Sequence, residues 1–119
     1  FWLNHYAPEV LAQESRRFPP VATVTALLGG DVRVQAVPIP FDCKDGFNEA
    51  YYGRPEMLLD PAARMACSSW SFVSPAIVER FERTLSRDLE NGAWEACWGY
   101  LRAQDSYDGS LRLVTAMST

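Results

Sequence analysis

The chain has 119 residues, 48% hydrophobic and 22% charged, values near globular averages that exclude wholesale disorder and fit one structural unit over 1–119. Its formal charge is −4, and its ten arginines and one lysine stand singly or in pairs with no stripe, which excludes nucleic-acid binding through a basic face. No apolar run approaches the roughly 18 to 20 residues of a membrane span, and three widely spaced cysteines without a CxxC pair fit a reducing, cytoplasmic setting.

No charged-then-apolar leader opens the sequence, which begins at Phe1 without an initiator methionine. In the first seventeen residues Trp2, Leu3, Tyr6, Val10 and Leu11 recur at helical spacing, with Pro8 interrupting, so one short helix is predicted to begin near Pro8. Phe18-Pro19-Pro20 breaks the chain. Val21 to Leu28 then reads as a helix with Gly29-Gly30 as its stop. Val32, Val34 and Ala36 alternate with Arg33 and Gln35, the period of a half-buried strand over about 31–37, with Pro38 and Pro40 ending its ladder.

Asn48 to Tyr52 follows a loop and predicts a short helix closed by Gly53 and Pro55. Asp60-Pro61 and Ser74-Pro75 each pair a capping residue with proline at the first helical position. The helix from Pro75 to Asn91 carries Ile77, Val78, Phe81, Leu85 and Leu89 on one stripe and ends at Gly92. Trp94 and Trp98 share a face if a helix runs from Trp94 to Leu101. Asp108-Gly109 turns the chain into a second strand, Leu111 to Met117, apolar enough to be buried in part on both faces. Two strands and about five helices cannot close an ordinary sheet, because an isolated strand pair is marginal in water. The terminal strand therefore predicts a neighbour: a second copy or an N-terminal half.

The segment Val37-Pro38-Ile39-Pro40-Phe41-Asp42-Cys43-Lys44-Asp45-Gly46-Phe47 resembles a recurring V-P-x-P-H-D-C-x-D-G-F run of bacterial class I S-adenosylmethionine-dependent methyltransferases. The similarity continues through Ala50-Tyr51-Tyr52, Arg54-Pro55-Glu56, Leu59-Asp60-Pro61-Ala62, Arg64, Val78-Glu79-Arg80, Asp88-Leu89, Gly92-Ala93-Trp94 and Leu111-Arg112-Leu113-Val114. It implies an α/β fold, the C-terminal portion of a Rossmann-like domain, with the two strands as the antiparallel sixth and seventh of a seven-stranded sheet. In such enzymes the cofactor, S-adenosylmethionine, is held in the first half, at a Gly-rich turn after the first strand and an acidic residue after the second. Neither feature occurs in this sequence. The chain departs from the pattern at Phe41, where the motif carries histidine, so no role of that histidine toward substrate is carried over.

The resemblance makes the expected ligand a small-molecule methyl acceptor. Asp42, Cys43 and Asp45 follow a strand end, where α/β sheets place ligand-contacting loops. Their competing reading is structural: the two carboxylates cap a turn and the next helix, and Cys43 is a small buried residue. Tyr51, Tyr52, Trp70 and Phe72 supply the aromatic walls of an apolar pocket, or else core packing. His5 is the single histidine, which leaves no metal-ligand spacing and no support for a Ser/His/Asp relay. No catalytic residue is assigned. Two functions follow: the acceptor-side part of a methyltransferase that is inactive alone, or a stand-alone, non-catalytic binding or dimerisation module whose last strand pairs with a second copy.

Overall fold

A computed structural model describes residues 1–17, 26–29, 31–109 and 111–117. Its helices are α1 (Leu3–Tyr6), α2 (Pro8–Arg17), α3 (Pro61–Met65), α4 (Pro75–Asn91) and α5 (Ala93–Trp98), and its strands are β1 (Asp31–Ala36), β2 (Ile39–Pro40), β3 (Ser106–Tyr107) and β4 (Arg112–Met117). Four 3-10 turns, Asn48–Tyr51, Pro55–Leu59, Ser68–Phe72 and Gly99–Ala103, fill much of the remainder.

The helix expected near Pro8 is α2, and an extra turn, α1, precedes it. Proline disfavours helical backbone in the residue before it, and Ala7 accordingly leaves the helical region at φ −148° and ψ 67°. Of the helix expected over Val21 to Leu28, residues 21–25 lie outside the described residues. Residues 26–28 are helical, and Gly29 closes them at φ +64°.

β1 and β4 pair antiparallel from Asp31↔Met117 to Ala36↔Arg112, as expected for the two long strands. The ladder does not stop at the prolines. Past Pro38 the chain resumes as β2, which pairs with β3 at Ile39↔Tyr107 and Pro40↔Ser106. Val37 N–H donates to Leu111 O at 3.0 Å and Phe41 N–H to Asp105 O at 2.9 Å, so pairing is almost continuous from Asp31 to Phe41. Pro40, lacking an N–H, fits because each short strand has just one neighbour.

Most of the burial expected on β1, and that expected at Leu111 and Leu113 beside and within β4, is not found among the described side chains. Of the β1 residues expected to face inward, Val32 is half-buried but Val34 is 47% exposed and Ala36 faces solvent, as Arg33 and Gln35 were expected to; on β4, Leu113 is 52% exposed. The physical reason is that, among the described residues, the sheet has two strands and no third beside them. The Cα radius of gyration is 16.2 Å, against about 13–14 Å for a compact chain of this length. The ladder extends from the helical body.

That body is built on α4. Phe81 and Leu85 are buried, Ile77, Val78 and Leu89 half-buried, and Gly92 ends the helix at φ +83°. Ser74 occupies the cap position without a side-chain cap bond, and its carbonyl alone accepts, from Ile77 N–H at 3.0 Å and Val78 N–H at 3.3 Å. Asp60 caps α3 as expected, accepting from Ala62 N–H at 3.0 Å. Trp94 and Trp98 do share a face, with ring centroids 6.4 Å apart, although the helix tightens to 3-10 geometry after Trp98. Trp2 and Tyr6 from α1 pack edge-on against Trp94 and Trp98, at 6.0 and 5.8 Å.

One buried polar contact crosses this aromatic cluster. Tyr6 Oη donates to Asp88 Oδ2 at 2.7 Å, and Arg87 Nε donates to Asp88 Oδ1 at 3.1 Å. The Tyr6 hydrogen bond, ahead of the Arg87 contacts, holds the Asp88 carboxyl below the usual carboxylate range. Its pKa is therefore lower folded than unfolded, so its contribution is present at neutral pH and is lost as pH falls below about 4 through the folded value. Urea midpoints of the wild type are expected to fall further between pH 5 and pH 3 than those of Tyr6→Phe. Parallel falls would show that the contact carries no such linkage.

Candidate functional site

The motif loop is organised by an arginine. Arg54 Nη2 donates to Cys43 O at 3.0 Å and to Ala50 O at 3.1 Å. Its guanidinium carbon lies 5.9 Å from the Phe41 ring centroid and 5.4 Å from that of Tyr51, close enough for cation–π attraction. Phe41 stands edge-on to Tyr52 at 6.0 Å and presses on the backbone of Gly53. A Cβ at Gly53 would meet Phe41 Cε2 at 2.5 Å and Leu101 O at 3.0 Å, so glycine is required there.

This arrangement brings Cys43 and Tyr51 together around Arg54, with Asp42 and Asp45 on the solvent side. The 3-10 turn Asn48–Tyr51 has no side-chain cap, and neither aspartate makes a side-chain hydrogen bond among the described residues. Tyr52 lies behind the loop, fully buried. Its hydroxyl donates to Gln104 O at 2.8 Å, its carbonyl accepts from Trp2 Nε1 at 2.9 Å, and its ring stacks on Tyr107 at 5.1 Å. Burial pushes the Tyr52 phenol pKa up.

Trp70 belongs to a different place. Its Nε1 donates to Asn48 Oδ1 at 2.8 Å, and Asn48 Nδ2 donates to Glu14 Oε1 at 2.6 Å. Ser69 Oγ also donates to Glu14 Oε1, at 3.1 Å. Beside Trp70, α3 and α4 border a cleft of about 330 Å³ lined also by Pro61, Arg64, Met65, Cys67, Ser71 and Val78. Arg64 is buried between the Trp70 and Phe81 rings, 5.7 and 5.9 Å from their centroids. Its Nη1 donates to Leu58 O and its Nη2 to Glu82 Oε1, both at 2.6 Å. Burial pushes the Cys67 thiol up to about 11. It is therefore protonated at neutral pH and unsuited to nucleophilic attack. Phe72, the other aromatic candidate, is 56% exposed.

Sequence reasoning missed Arg54, Asn48 and Arg64 as organisers. All three lie in the segments that carry the resemblance or beside them, and their partners are backbone carbonyls and distant carboxylates that spacing does not show. His5 packs on Tyr6 and Trp98, at 4.9 and 5.6 Å. No group of three His, Cys, Asp or Glu residues suited to a metal ion occurs among the described residues, and no helix there is long and apolar enough to cross a membrane.

The described residues do not fit S-adenosylmethionine. Its site in such enzymes needs a Gly-rich turn between a strand and a helix. Gly29 and Gly92, the two glycines with positive φ among the described residues, instead close helices, and a Cβ on either would meet open space. No close backbone approach to a ligand is prepared at either.

The mixed architecture, helices with small antiparallel sheets, is that of a known methyltransferase-like structure. The chain matches the crystal structure of a protein from Anabaena variabilis ATCC 29413, provisionally assigned as a methyltransferase from an antibiotic biosynthesis pathway, at 29% identity and a TM-score of 0.87. The match covers 96% of this chain and 47% of that one, so the chain spans about half the length of its structural neighbour. No family model and no curated protein matches the sequence.

Proposed function

We propose that the chain is the acceptor-side, C-terminal part of a bacterial class I S-adenosylmethionine-dependent methyltransferase acting on a small molecule in the cytoplasm. The observation that carries this reading is the 0.87 TM-score over nearly the whole chain against half of a methyltransferase-like protein. The motif run from Val37 to Arg64 and the uncovered β1–β4 ladder support it, since both fit a piece whose sheet continues elsewhere. Methyl transfer is a direct displacement for which the protein mainly aligns acceptor and donor and excludes water. In that division of labour the loop bearing Asp42, Cys43, Asp45 and Tyr51 contacts the acceptor and Tyr52 positions the loop from behind, while Trp70, which lines a different cleft, takes no part. The donor site belongs to the other half.

Three measurements test this. The coding DNA upstream of Phe1 is expected to encode, in frame, a strand, a Gly-rich turn and a helix; a stop codon followed by a start close to Phe1 would overturn the reading. The 119-residue chain is expected to show no change in melting temperature with S-adenosylmethionine, while the product that includes the upstream half gains about 2.7 kcal/mol at a hundredfold excess over Kd. Transfer of labelled methyl by the 119-residue chain itself would refute its inactivity. The exposed apolar ladder also favours a second reading, a non-catalytic module that dimerises through β4. A monomer by light scattering at high concentration would count against it.

A further inference from the structure

The cleft between α3 and α4 contains none of the loop residues Asp42, Cys43, Asp45, Tyr51 or Tyr52. Its walls are the Trp70 ring and the side chains of Pro61, Met65, Cys67 and Val78 over a buried arginine. Three features define what it accepts. First, the Trp70 ring is fixed: its Nε1 is bonded to Asn48, which Glu14 holds in turn, so the wall is formed before any ligand arrives. Second, the charges are already matched. Both terminal nitrogens of Arg64 are engaged, by Leu58 O and Glu82, and the Cys67 thiol is neutral. An anion would meet a guanidinium whose charge Glu82 already balances, and a cation would face that guanidinium, so either carries a desolvation cost that a neutral molecule avoids. Third, about 330 Å³ is roughly twice the ~150 Å³ cavity that holds one benzene.

We propose that this cleft is a binding site for a neutral, largely apolar molecule of two fused rings carrying at most one hydroxyl or N–H donor. Ser71 lines the cleft and its hydroxyl donates to Ser68 O at 2.6 Å, which leaves its oxygen able to accept the ligand's donor. Met65, 85% exposed at the rim, adapts to the ligand's outline. The proposal does not depend on the methyltransferase reading, because the site lies wholly within this chain and needs no cofactor.

The experiment is a titration of the 119-residue chain with 2-naphthol, followed by amide and indole N–H shifts in two-dimensional NMR. Saturable shifts are expected at the Trp70 indole, Cys67 and Val78. 2-Naphthoate and 2-naphthylmethylammonium, of similar size but charged, are expected to bind at least tenfold more weakly, and Val78→Trp, which fills the cleft, to weaken 2-naphthol at least tenfold. The wild-type comparison of neutral and charged probes stands even if Val78→Trp fails to fold. Equal affinity for the three probes would overturn the proposal, as would non-saturating shifts centred on the exposed Leu27, Leu28 and Leu113, or binding that a folded Val78→Trp leaves unchanged.

Discussion

Phe81→Ala is expected to lower the free energy of unfolding by about 3–5 kcal/mol, the usual cost of emptying a large buried aromatic site. Phe81 has no exposed surface, and its ring centroid lies 4.8 Å from that of Trp70. The Arg64 guanidinium carbon sits 5.9 Å from the Phe81 centroid on its way to Glu82. Truncation therefore removes buried area, opens a cavity at the centre of α4, and strips one face from a buried cation. Collapse is obstructed on two sides, because Trp70 is pinned by Asn48 and Arg64 by Leu58 O and Glu82. Domains of this kind are stable by about 5–15 kcal/mol in all, so the variant should be near the limit of folding at room temperature. Urea unfolding followed by tryptophan fluorescence measures it, and a loss under about 1 kcal/mol would show that Phe81 is not a core residue in solution. Phe81→Leu, which keeps most of the volume, should lose markedly less.

Asn48→Ala is expected to cost about 3 kcal/mol, although it removes little apolar area. The side chain joins three segments: it donates to Glu14 on α2, at 2.6 Å, contacts Ser69 at 3.4 Å, and accepts from Trp70 Nε1 at 2.8 Å. A bond to a charged group contributes about 1.5–3 kcal/mol, and a buried donor left without an acceptor costs about 1–3 kcal/mol. Both penalties fall on one substitution. A double-mutant cycle separates them from simple packing: Trp70→Phe removes the indole donor, so Asn48→Ala should cost less in that background, with a coupling of about 0.5–3 kcal/mol. Strict additivity would show that the Asn48–Trp70 bond contributes nothing.

Period and punctuation made much of the fold legible in the sequence. α4 was readable because Phe81 and Leu85 recur at helical spacing and Gly92 supplies the left-handed stop; α3 was readable from Asp60-Pro61. The antiparallel relation of β1 and β4 followed from the family resemblance, not from pattern. What pattern could not give was the short β2–β3 pair, because two residues carry no period and Pro40 argues against a strand. Nor could it give Asp88 a buried place: a carboxylate on a helix is ordinarily solvated, and its partner Tyr6 lies 82 residues away. The same holds for the candidate site. Loop residues from Asp42 to Tyr51 were read from a contiguous motif, whereas the cleft beside Trp70 unites residues of α3, α4 and the 3-10 turn between them.

The path of the chain through its strands has a further consequence. β1 and β2 run in, β3 and β4 run out, and the pairs Ile39↔Tyr107 and Pro40↔Ser106 bring entry and exit side by side. The intervening segment, with its cleft and motif loop, is in effect one long excursion from a hairpin. Closing a loop costs entropy that grows only slowly with length, and here that cost is met once, at the β2–β3 clasp. After that the β1–β4 register is a zipper whose two ends already meet. The excursion from Ile39 to Tyr107 therefore meets the ladder at two adjacent crossings, Val37–Pro38 and Asp108–Gly109, so its two ends stay side by side whatever path the chain takes between them.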